Sequence, residues 1–245
     1  MNVAKRYFLP LNLENGLLEL RHGLTHLFYP RLCEGCNKQL LGSEKVLCIG
    51  CGMALPETGY HAIDDNETAL RFAGRIPFEN ATSLAYFTNE GLLQLLLHGL
   101  KYKGKKEIGY YLGRRLADNL QKTQWAETVD MIIPVPLHRS KKARRGYNQS
   151  MLIAEGMGEI LKIPAYDDVL LRIKDTESQT RKTRAERVNN MAEAFKIKEN
   201  AGLGGKHVLL VDDVLTTGAT IEACALALLK AEGIKISIVT IGIAV

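Results

Sequence analysis

A run of carboxylate and hydroxyl side chains directly follows an apolar stretch near the C-terminal end of this 245-residue chain. After Val208–Val211 come Asp212 and Asp213, and then the loop residues Thr216, Thr217, Gly218, Ala219 and Thr220. Threonine hydroxyls and successive backbone N–H groups at a helix start can bind a phosphate, and a glycine lets the backbone approach it. The two carboxylates would repel that phosphate, so we expect them to face a ribose diol or Mg²⁺. A helix cap would explain one threonine and one aspartate but not the whole pattern, which therefore predicts a ribose 5-phosphate site.

Four cysteines near the other end of the chain have the spacing of a metal-ligand set. Cys33 and Cys36 form one C-x2-C pair, and Cys48 and Cys51 form a second pair after eleven intervening residues. The alternatives are two disulfides or a redox motif. Because nothing resembles a signal peptide, we expect a cytoplasmic protein without structural disulfides, and a redox motif would occur only once. The spacing predicts a tetrahedral Zn²⁺ site that stabilises the fold and performs no chemistry.

Several features around the cysteines agree with a zinc ribbon. We expect Gly35, Gly50 and Gly52 to adopt positive φ angles that direct backbone N–H groups toward the sulfurs. A segment this short buries too little apolar surface to fold alone, so the metal must supply its stability. The leucine spacing in Leu11–Leu27 predicts a helix before the ribbon.

Alternating strand and helix signals predict an α/β domain after the ribbon. Val208–Val211 and Ile236–Ile243 are continuously apolar, as in a parallel sheet covered on both faces, and Ile221–Ala231 between them is predicted helical. Ligands bind such sheets at the carboxyl ends of the strands, where the predicted turn Asp212–Thr220 lies. The other predicted strands are Ala81–Phe87, Met131–Val135 and Val169–Ile173, and the other predicted helices are Leu92–Leu100, Ile108–Leu120 and Tyr147–Leu161.

The predicted organisation is two domains, residues 1–60 with the ribbon and residues 61–245 with the α/β fold. Residues 57–75 are polar and acidic, so we interpret them as the linker that leaves the ribbon. With 46% apolar and 24% charged residues, the composition excludes a disordered chain. No uncharged apolar stretch approaches the ~18 residues that span a bilayer, so no membrane insertion is expected.

Positive charge is concentrated in one part of the chain. Residues 101–150 contain 12 Lys and Arg against 4 Asp and Glu, whereas residues 51–100 contain 2 against 6. This gradient favours a local anion site, although a solvated helix face would have the same composition.

Several segments resemble known proteins. VLLVDDVLTTGAT resembles the phosphoribosyl pyrophosphate (PRPP) signature of type I phosphoribosyltransferases. IIPVPLHRSKKARRGYNQS, RIKDTESQTRKTRAERVNNMAEAF and HGLKYKG resemble the ComF/GntX family, which also begins with a four-cysteine zinc ribbon. The resemblance implies an α/β fold, a type I phosphoribosyltransferase parallel sheet flanked by helices, with a small N-terminal zinc-ribbon domain.

The resemblance also implies roles for individual residues. Asp212 and Asp213 would hold the ribose hydroxyls, one of them through Mg²⁺, and Thr216, Thr217, Gly218, Ala219 and Thr220 would bind the 5-phosphate. A pyrophosphate loop would consist of Pro136, Leu137, His138 and Arg139, with the basic cluster of Lys141, Lys142, Arg144 and Arg145 nearby. A hood would span Lys174–Arg187, with Gln179 and Arg187 at characteristic positions, and these two residues join the aspartates as candidate catalytic residues.

Other readings remain open for some of these residues. Arg144 and Arg145 could equally be solvated surface charges. His138 could be a structural hydrogen-bonding group or an acid/base, and Asn148 could cap the helix that follows it without contacting a ligand. Residues 176–187 also have the composition of a surface loop.

Two functions are compatible with these patterns. The first is a PRPP- and Mg²⁺-dependent transferase that acts on a base or an amine. The second is a non-catalytic module that senses PRPP or a nucleotide and engages single-stranded DNA or a helicase-like partner, since ComF proteins are associated with DNA uptake in competence. Tyr147 is the only aromatic residue close to Arg139–Arg145 in the sequence, so no stacking platform for single strands is evident.

Overall fold

The computed structural model describes residues 30–173 and 194–245 of the chain. Contacts divide the described residues into two compact units, one that ends at Gly52 and one that begins at Met53. The predicted helix in Leu11–Leu27 and the hood Lys174–Arg187, with Gln179 and Arg187, lie outside the described residues.

A four-stranded parallel sheet forms the centre of the larger unit in its described part. Its strands are β1 (Ala81–Phe87), β2 (Met131–Pro134), β5 (His207–Leu215) and β6 (Lys235–Ala244), while β3 (Leu170–Arg172) and β4 (Phe195–Ile197) form a separate antiparallel pair. The strand order is β1-β6-β5-β2, and each neighbouring pair is parallel. Almost every residue of β5 and β6 is buried, which explains their continuously apolar sequences. The predicted α/β fold class is confirmed.

Helices cover this sheet and connect its strands. In the larger unit they are α2 (Glu67–Leu70), α3 (Leu92–Tyr102), α4 (Glu107–Leu120), α5 (Arg139–Arg145), α6 (Gln149–Leu161) and α7 (Ala219–Leu228), with 3-10 turns at Tyr60–Ala62 and Trp125–Thr128. A short helix, α1 (Ile49–Met53), lies at the end of the smaller unit. Within the two described ranges, no helix combines the length and the apolar character that crossing a membrane requires.

Strand β5 is longer than its apolar sequence predicts. The prediction ended the strand at Val211 and placed both aspartates in a turn, but β5 continues to Leu215. It can do so because β6 runs alongside, with Leu215 in register with Ile243. Asp212 and Asp213 are therefore strand residues, and only a short turn separates β5 from α7.

The prediction that residues 57–75 form a linker is wrong. Phe72 is 0% exposed and Tyr60 is 8% exposed, and both belong to the core of the larger unit. Asn66 is also buried, and its side-chain amide donates to the carbonyl of Ala81 at 2.8 Å. Isolated apolar residues in an acidic stretch give no periodic signal, yet they pack this segment onto the sheet.

Candidate functional site

A small cavity lies at the carboxyl end of β5. It has a volume of about 40 Å³, and its wall consists of Asp212 and residues 214–221. One carboxylate and the threonine-glycine loop therefore share one cavity. Asp213 is not part of its wall.

Gly218 occupies a position in the turn that other residues would fill poorly. Its φ angle is 79°, in the left-handed region, and it directly precedes α7. A Cβ atom there would lie 3.0 Å from Cε1 of Phe72. A side chain would therefore strain the backbone and crowd the aromatic ring, two reasons for glycine that the sequence alone did not indicate.

The Asp212 carboxylate is held by hydrogen bonds at one oxygen. Its Oδ1 accepts from the hydroxyl of Ser150 at 3.0 Å and from the backbone N–H of Asp213 at 2.9 Å. Withdrawal from solvent and the neighbouring Asp213 carboxylate raise the pKa of Asp212 to about 7. Ser150 lies in the first turn of α6, and nothing in the sequence paired it with Asp212.

Asp213 lies in a different environment from Asp212. It is 6% exposed, and Nζ of Lys101, near the C-terminal end of α3, lies 2.8 Å from its Oδ2. This is an ion pair without hydrogen-bond alignment, and no described group is aligned to hydrogen-bond this oxygen. The two adjacent carboxylates therefore lie in different surroundings, since successive side chains of strand β5 point to opposite faces.

A larger cavity of about 350 Å³ lies where the segment after β2 approaches β3. It is lined by Pro136, Leu137, His138 and Arg139 of the predicted pyrophosphate loop, and by the cations Lys142 and Arg172. Lys142 also lies 3.1 Å from Oδ2 of Asp167. Arg172 belongs to a short strand and carried no sequence signal for a role here. The cavity can accept an anion.

The register of the sheet places both loops at one edge. Pro134 at the end of β2 pairs with Val211 in β5, and the strands are parallel. The loop after β2 and the turn after β5 therefore leave the sheet on the same side, as the prediction from the strand pattern required.

Several basic and polar residues near these loops have structural contacts. Nδ1 of His138 accepts from the backbone N–H of Ser140 at 3.4 Å and caps α5. Asn148 caps α6 and donates to the carbonyl of Val135 at 3.0 Å, and it also lines the larger cavity. Arg145 donates to Gln149, and it lines neither of the two cavities described above.

The four cysteines of the smaller unit meet at one point. Their sulfurs all lie within 4.8 Å of one another, and the thiols are free, which contradicts the disulfide alternative. Sγ of Cys36 lies 3.7 Å from Sγ of Cys48. A tetrahedron with Zn–S distances of about 2.3 Å has edges of about 3.8 Å. The donor set therefore fits a metal such as zinc.

Backbone N–H groups support the thiolate form of Cys33. Its Sγ accepts from the N–H of Gly35 at 3.4 Å and from the N–H of Cys48 at 3.3 Å. Burial would raise the pKa of Cys33, but these donors, Cys48 first, lower it to about 6. Such a thiolate is ready to bind a cation at neutral pH.

The expectation of positive φ angles at the glycines of the cluster is wrong. Between Cys36 and Cys48, the residues with a positive φ are Asn37, at 57°, and Gly42, at 54°. Gly50 and Gly52 are helical residues of α1. The first turn of a helix already directs N–H groups toward the preceding Cys48 sulfur, so no left-handed glycine is required.

Comparison with known proteins places the chain in a family. The sequence profile of the phosphoribosyl transferase domain matches residues 111–245. The DNA utilization protein YhgH of Escherichia coli O157:H7 is 30% identical over 207 residues, covering 81% of this chain and 84% of that protein. Competence protein F of Haemophilus influenzae is 27% identical over 212 residues, 85% of this chain and 88% of that one. This chain belongs to the ComF family of phosphoribosyltransferase-like proteins. Competence protein ComFC of Bacillus subtilis, a further relative, is 26% identical over 200 residues, 82% of this chain and 78% of its own.

The matched range contains both cavities but not every residue that contacts them or the cysteine cluster. Both cavities are built from residues within 111–245. Lys101, Phe72 and the four clustered cysteines lie outside the matched range. Among solved structures, a hypothetical protein from Neisseria gonorrhoeae with bound ppGpp aligns with 55% of this chain and 66% of its own, at 19% identity and a TM-score of 0.35.

Proposed function

We propose that this protein binds PRPP at the carboxyl end of β5 and transfers its 5-phosphoribosyl group to a base or an amine. The observation that carries the proposal is the shared cavity, in which the Asp212 carboxylate lies beside the threonine-glycine loop. A carboxylate accepts hydrogen bonds from sugar hydroxyls, and a loop at a helix start donates them to phosphate. A ribose 5-phosphate offers both groups.

The larger cavity would bind the pyrophosphate of PRPP. Its cations Arg139, Lys142 and Arg172 carry charge opposite to that of pyrophosphate. In the reaction, the bond from C1 of the ribose to pyrophosphate breaks, positive charge develops on the ring, and the electron pair leaves with pyrophosphate. The lone pair of the acceptor nitrogen then forms the new bond to C1, and that nitrogen releases a proton. Fixed cations that stabilise this leaving group are the main catalytic contribution we assign to the chain.

The aspartates also fit Mg²⁺, which prefers carboxylate oxygens and substrate phosphates as ligands. Asp212 presents a carboxylate to the cavity, and we assign it to the ribose hydroxyls, directly or through Mg²⁺. Bound with PRPP, the ion would neutralise charge on the leaving group. Asp213 is buried, paired with Lys101 and outside this cavity, so a contact of its carboxylate with ribose or Mg²⁺ stays a prediction. The roles of Gln179 and Arg187 in a hood that excludes water stay predictions.

Calorimetric titration with PRPP and Mg²⁺ tests the binding. We expect saturable binding that Asp212→Asn weakens at least tenfold, because the neutral amide loses charge-assisted acceptance. Asp118→Asn is the matched control, since Asp118 is an exposed carboxylate of α4 that lines neither cavity. Unchanged affinity in Asp212→Asn would contradict the assignment of this residue.

Transfer is tested by pyrophosphate release from PRPP in the presence of a panel of bases and amines. Release that depends on one acceptor would support the transferase. Binding of PRPP without release for every acceptor would favour the sensing module instead.

Single-stranded DNA binding is a second candidate function, favoured by one exposed aromatic residue. Tyr102 is 67% exposed, its ring centroid lies 5.1 Å from that of His98, and the guanidinium of Arg145 lies 5.8 Å from it. An exposed ring among cations is what base stacking requires, and the sequence missed it because Tyr102 lies far from Arg145 along the chain. The names of the relatives, competence and DNA utilization proteins, agree with this candidate. A helicase-like partner stays an expectation from the family resemblance.

If the protein binds single-stranded DNA, its affinity for an oligonucleotide should fall steeply as salt increases, and should be lower still in Tyr102→Ala. Tyr166→Ala is the control, because Tyr166 is also exposed. Salt-independent retention, or equal losses in both variants, would contradict a stacking role for Tyr102.

We also propose that the four cysteines bind structural Zn²⁺, since four thiolates leave no open coordination position. A cytoplasmic location is part of this proposal, because free thiols persist in a reducing compartment.

A further inference from the structure

We propose that Arg71 and Arg75 are positioning residues for the phosphate-binding turn, and that they set which way its peptide groups face. The inference rests on the proposed binding of a 5-phosphate by that turn. Neither arginine belongs to the cavity wall, and both come from the segment 57–75 that the sequence presented as a linker.

Both guanidinium groups donate to carbonyl oxygens of the turn. Nη1 of Arg71 donates to the carbonyl of Thr216 at 3.3 Å, and its Nη2 donates to the carbonyl of Ala244 at 3.2 Å. Nη1 of Arg75 donates to the carbonyl of Thr217 at 3.0 Å. Two consecutive peptide groups are thus held from one side, and Arg71 also ties the turn to the end of β6.

The direction of these carbonyls determines the direction of the amide donors. In a planar trans peptide the C=O of one residue and the N–H of the next point in opposite directions. With the carbonyls of Thr216 and Thr217 directed to the arginines, the N–H groups of Thr217 and Gly218 point away from them. Those are the N–H donors that a phosphate bound by the turn would use.

The arginines are themselves fixed in place. Arg75 forms an ion pair with Glu222 in the first turn of α7 and donates to the carbonyl of Arg71 at 2.8 Å. Between them in sequence, Phe72 is fully buried and lies against the position where Gly218 would carry a Cβ. Two cations and one ring therefore contact the turn on the side of its carbonyls.

These contacts indicate that the arginines orient the peptide groups of the turn, and that attraction between their charge and the phosphate is a smaller effect. The charge of Arg75 is opposed by Glu222, so its long-range attraction for a phosphate is weak. A cation on a carbonyl also polarises the peptide group and strengthens the N–H donor at its other end. Removing the cation would leave the turn free to rotate its peptide groups and would weaken phosphate binding.

The test uses calorimetry on the full chain with two probes, ribose 5-phosphate and inorganic pyrophosphate. Arg71→Met and Arg75→Met keep the length of the side chain but remove the donors, whereas Arg71→Lys and Arg75→Lys keep a cationic donor. Arg114→Met is the matched control, because Arg114 pairs with Glu159 and contacts neither cavity. Arg71 and Arg75 are both exposed, so the variants of each should fold.

We expect each Met variant to bind ribose 5-phosphate roughly tenfold more weakly, the effect of losing one charge-assisted hydrogen bond. The Lys variants should recover most of that loss, and pyrophosphate affinity should change by less than about twofold, as in the control. Amide exchange at Thr217 and Gly218 should become faster in the Met variants.

Three results would overturn the inference. Equal ribose 5-phosphate affinity in the wild type and the Met variants would show that the arginines do not position the donors. Parallel loss of both probes would indicate general destabilisation. If the wild-type protein binds pyrophosphate but not ribose 5-phosphate, the proposed function of the turn fails, and the inference fails with it.

Discussion

Nζ of Lys101 lies 2.8 Å from Oδ2 of Asp213, so a helix that precedes the matched phosphoribosyltransferase domain supplies the cation for one of its two signature carboxylates. The pairing leaves Asp212 as the carboxylate in the cavity wall. Two adjacent aspartates, identical in the sequence motif, thereby acquire different partners.

Lys101→Met should destabilise the protein, because it leaves the Asp213 carboxylate buried without its cation. The expected loss is about 3 kcal/mol in the free energy of unfolding, measured by urea denaturation. The double variant Lys101→Met with Asp213→Asn should recover much of this loss, since no unpaired charge remains. An unchanged unfolding free energy in the single variant would show that the ion pair does not stabilise the protein.

Asp212→Asn should separate stability from ligand binding. The substitution removes a charge that is withdrawn from solvent and adjacent to Asp213, while an amide oxygen still accepts from Ser150. We expect the unfolding free energy to stay equal or to rise by about 1 kcal/mol. The same purified sample should bind PRPP at least tenfold more weakly. A variant that loses both properties together would contradict this separation.

Cys48→Ser should remove the metal from the smaller unit. The wild type should contain about one zinc per chain by elemental analysis, and the variant should contain less than half of that. Proteolysis should then cut the segment around the cysteines more quickly, since the metal stabilises its fold. Cys224→Ala is the control, because Cys224 is a buried thiol of α7 and should leave the zinc content unchanged. A wild type without bound metal would refute the zinc assignment.

His207 should make stability depend on pH. It is 5% exposed, and its ring nitrogens lie 2.9 Å from the hydroxyls of Thr128 and Ser237. Burial lowers its pKa below the usual 6.5, so the unfolded chain binds a proton more readily than the folded protein. The unfolding free energy should therefore decrease as the pH falls below about 6.5 and continue to decrease until the folded pKa is reached. The charged groups that face it are Glu79, Asp130 and Lys235.

The substitution His207→Gln isolates the contribution of His207 to the pH dependence of the unfolding free energy. The difference in unfolding free energy between pH 7.5 and pH 5.5 should be smaller in the variant than in the wild type, because glutamine does not titrate. Urea denaturation at both pH values gives the comparison. Identical pH dependence would assign the acid sensitivity to other groups.

The sequence predicts the candidate site where the residues that form it are adjacent in the chain. The apolar strand, the aspartates and the threonine-glycine turn are contiguous, so one segment predicts a strand, a helix start and a phosphate-binding turn. The cysteine spacing is equally local, and the sulfurs meet as it predicts. The end of β5 was misplaced because the ladder to β6 extends the strand through polar residues.

The supporting contacts could not be read in this way because they depend on tertiary structure. Lys101, Ser150 and Arg75 reach the site from other helices or segments, and no spacing rule connects them with Asp213, Asp212 or the turn. The same holds for Tyr102 and Arg145, which are distant in sequence and adjacent in space.

Strand β5 is still paired with β6 at Asp212, which is in register with Thr240. The strand geometry therefore determines which of the two aspartates points into the cavity. A one-residue insertion within the buried part of β5 would shift the downstream strand and exchange the faces of all later side chains. Such a protein would keep every residue of the motif and yet place Asp213 instead of Asp212 in the cavity wall. Motif identity alone is thus an insufficient criterion when strand-length variants of this family are compared.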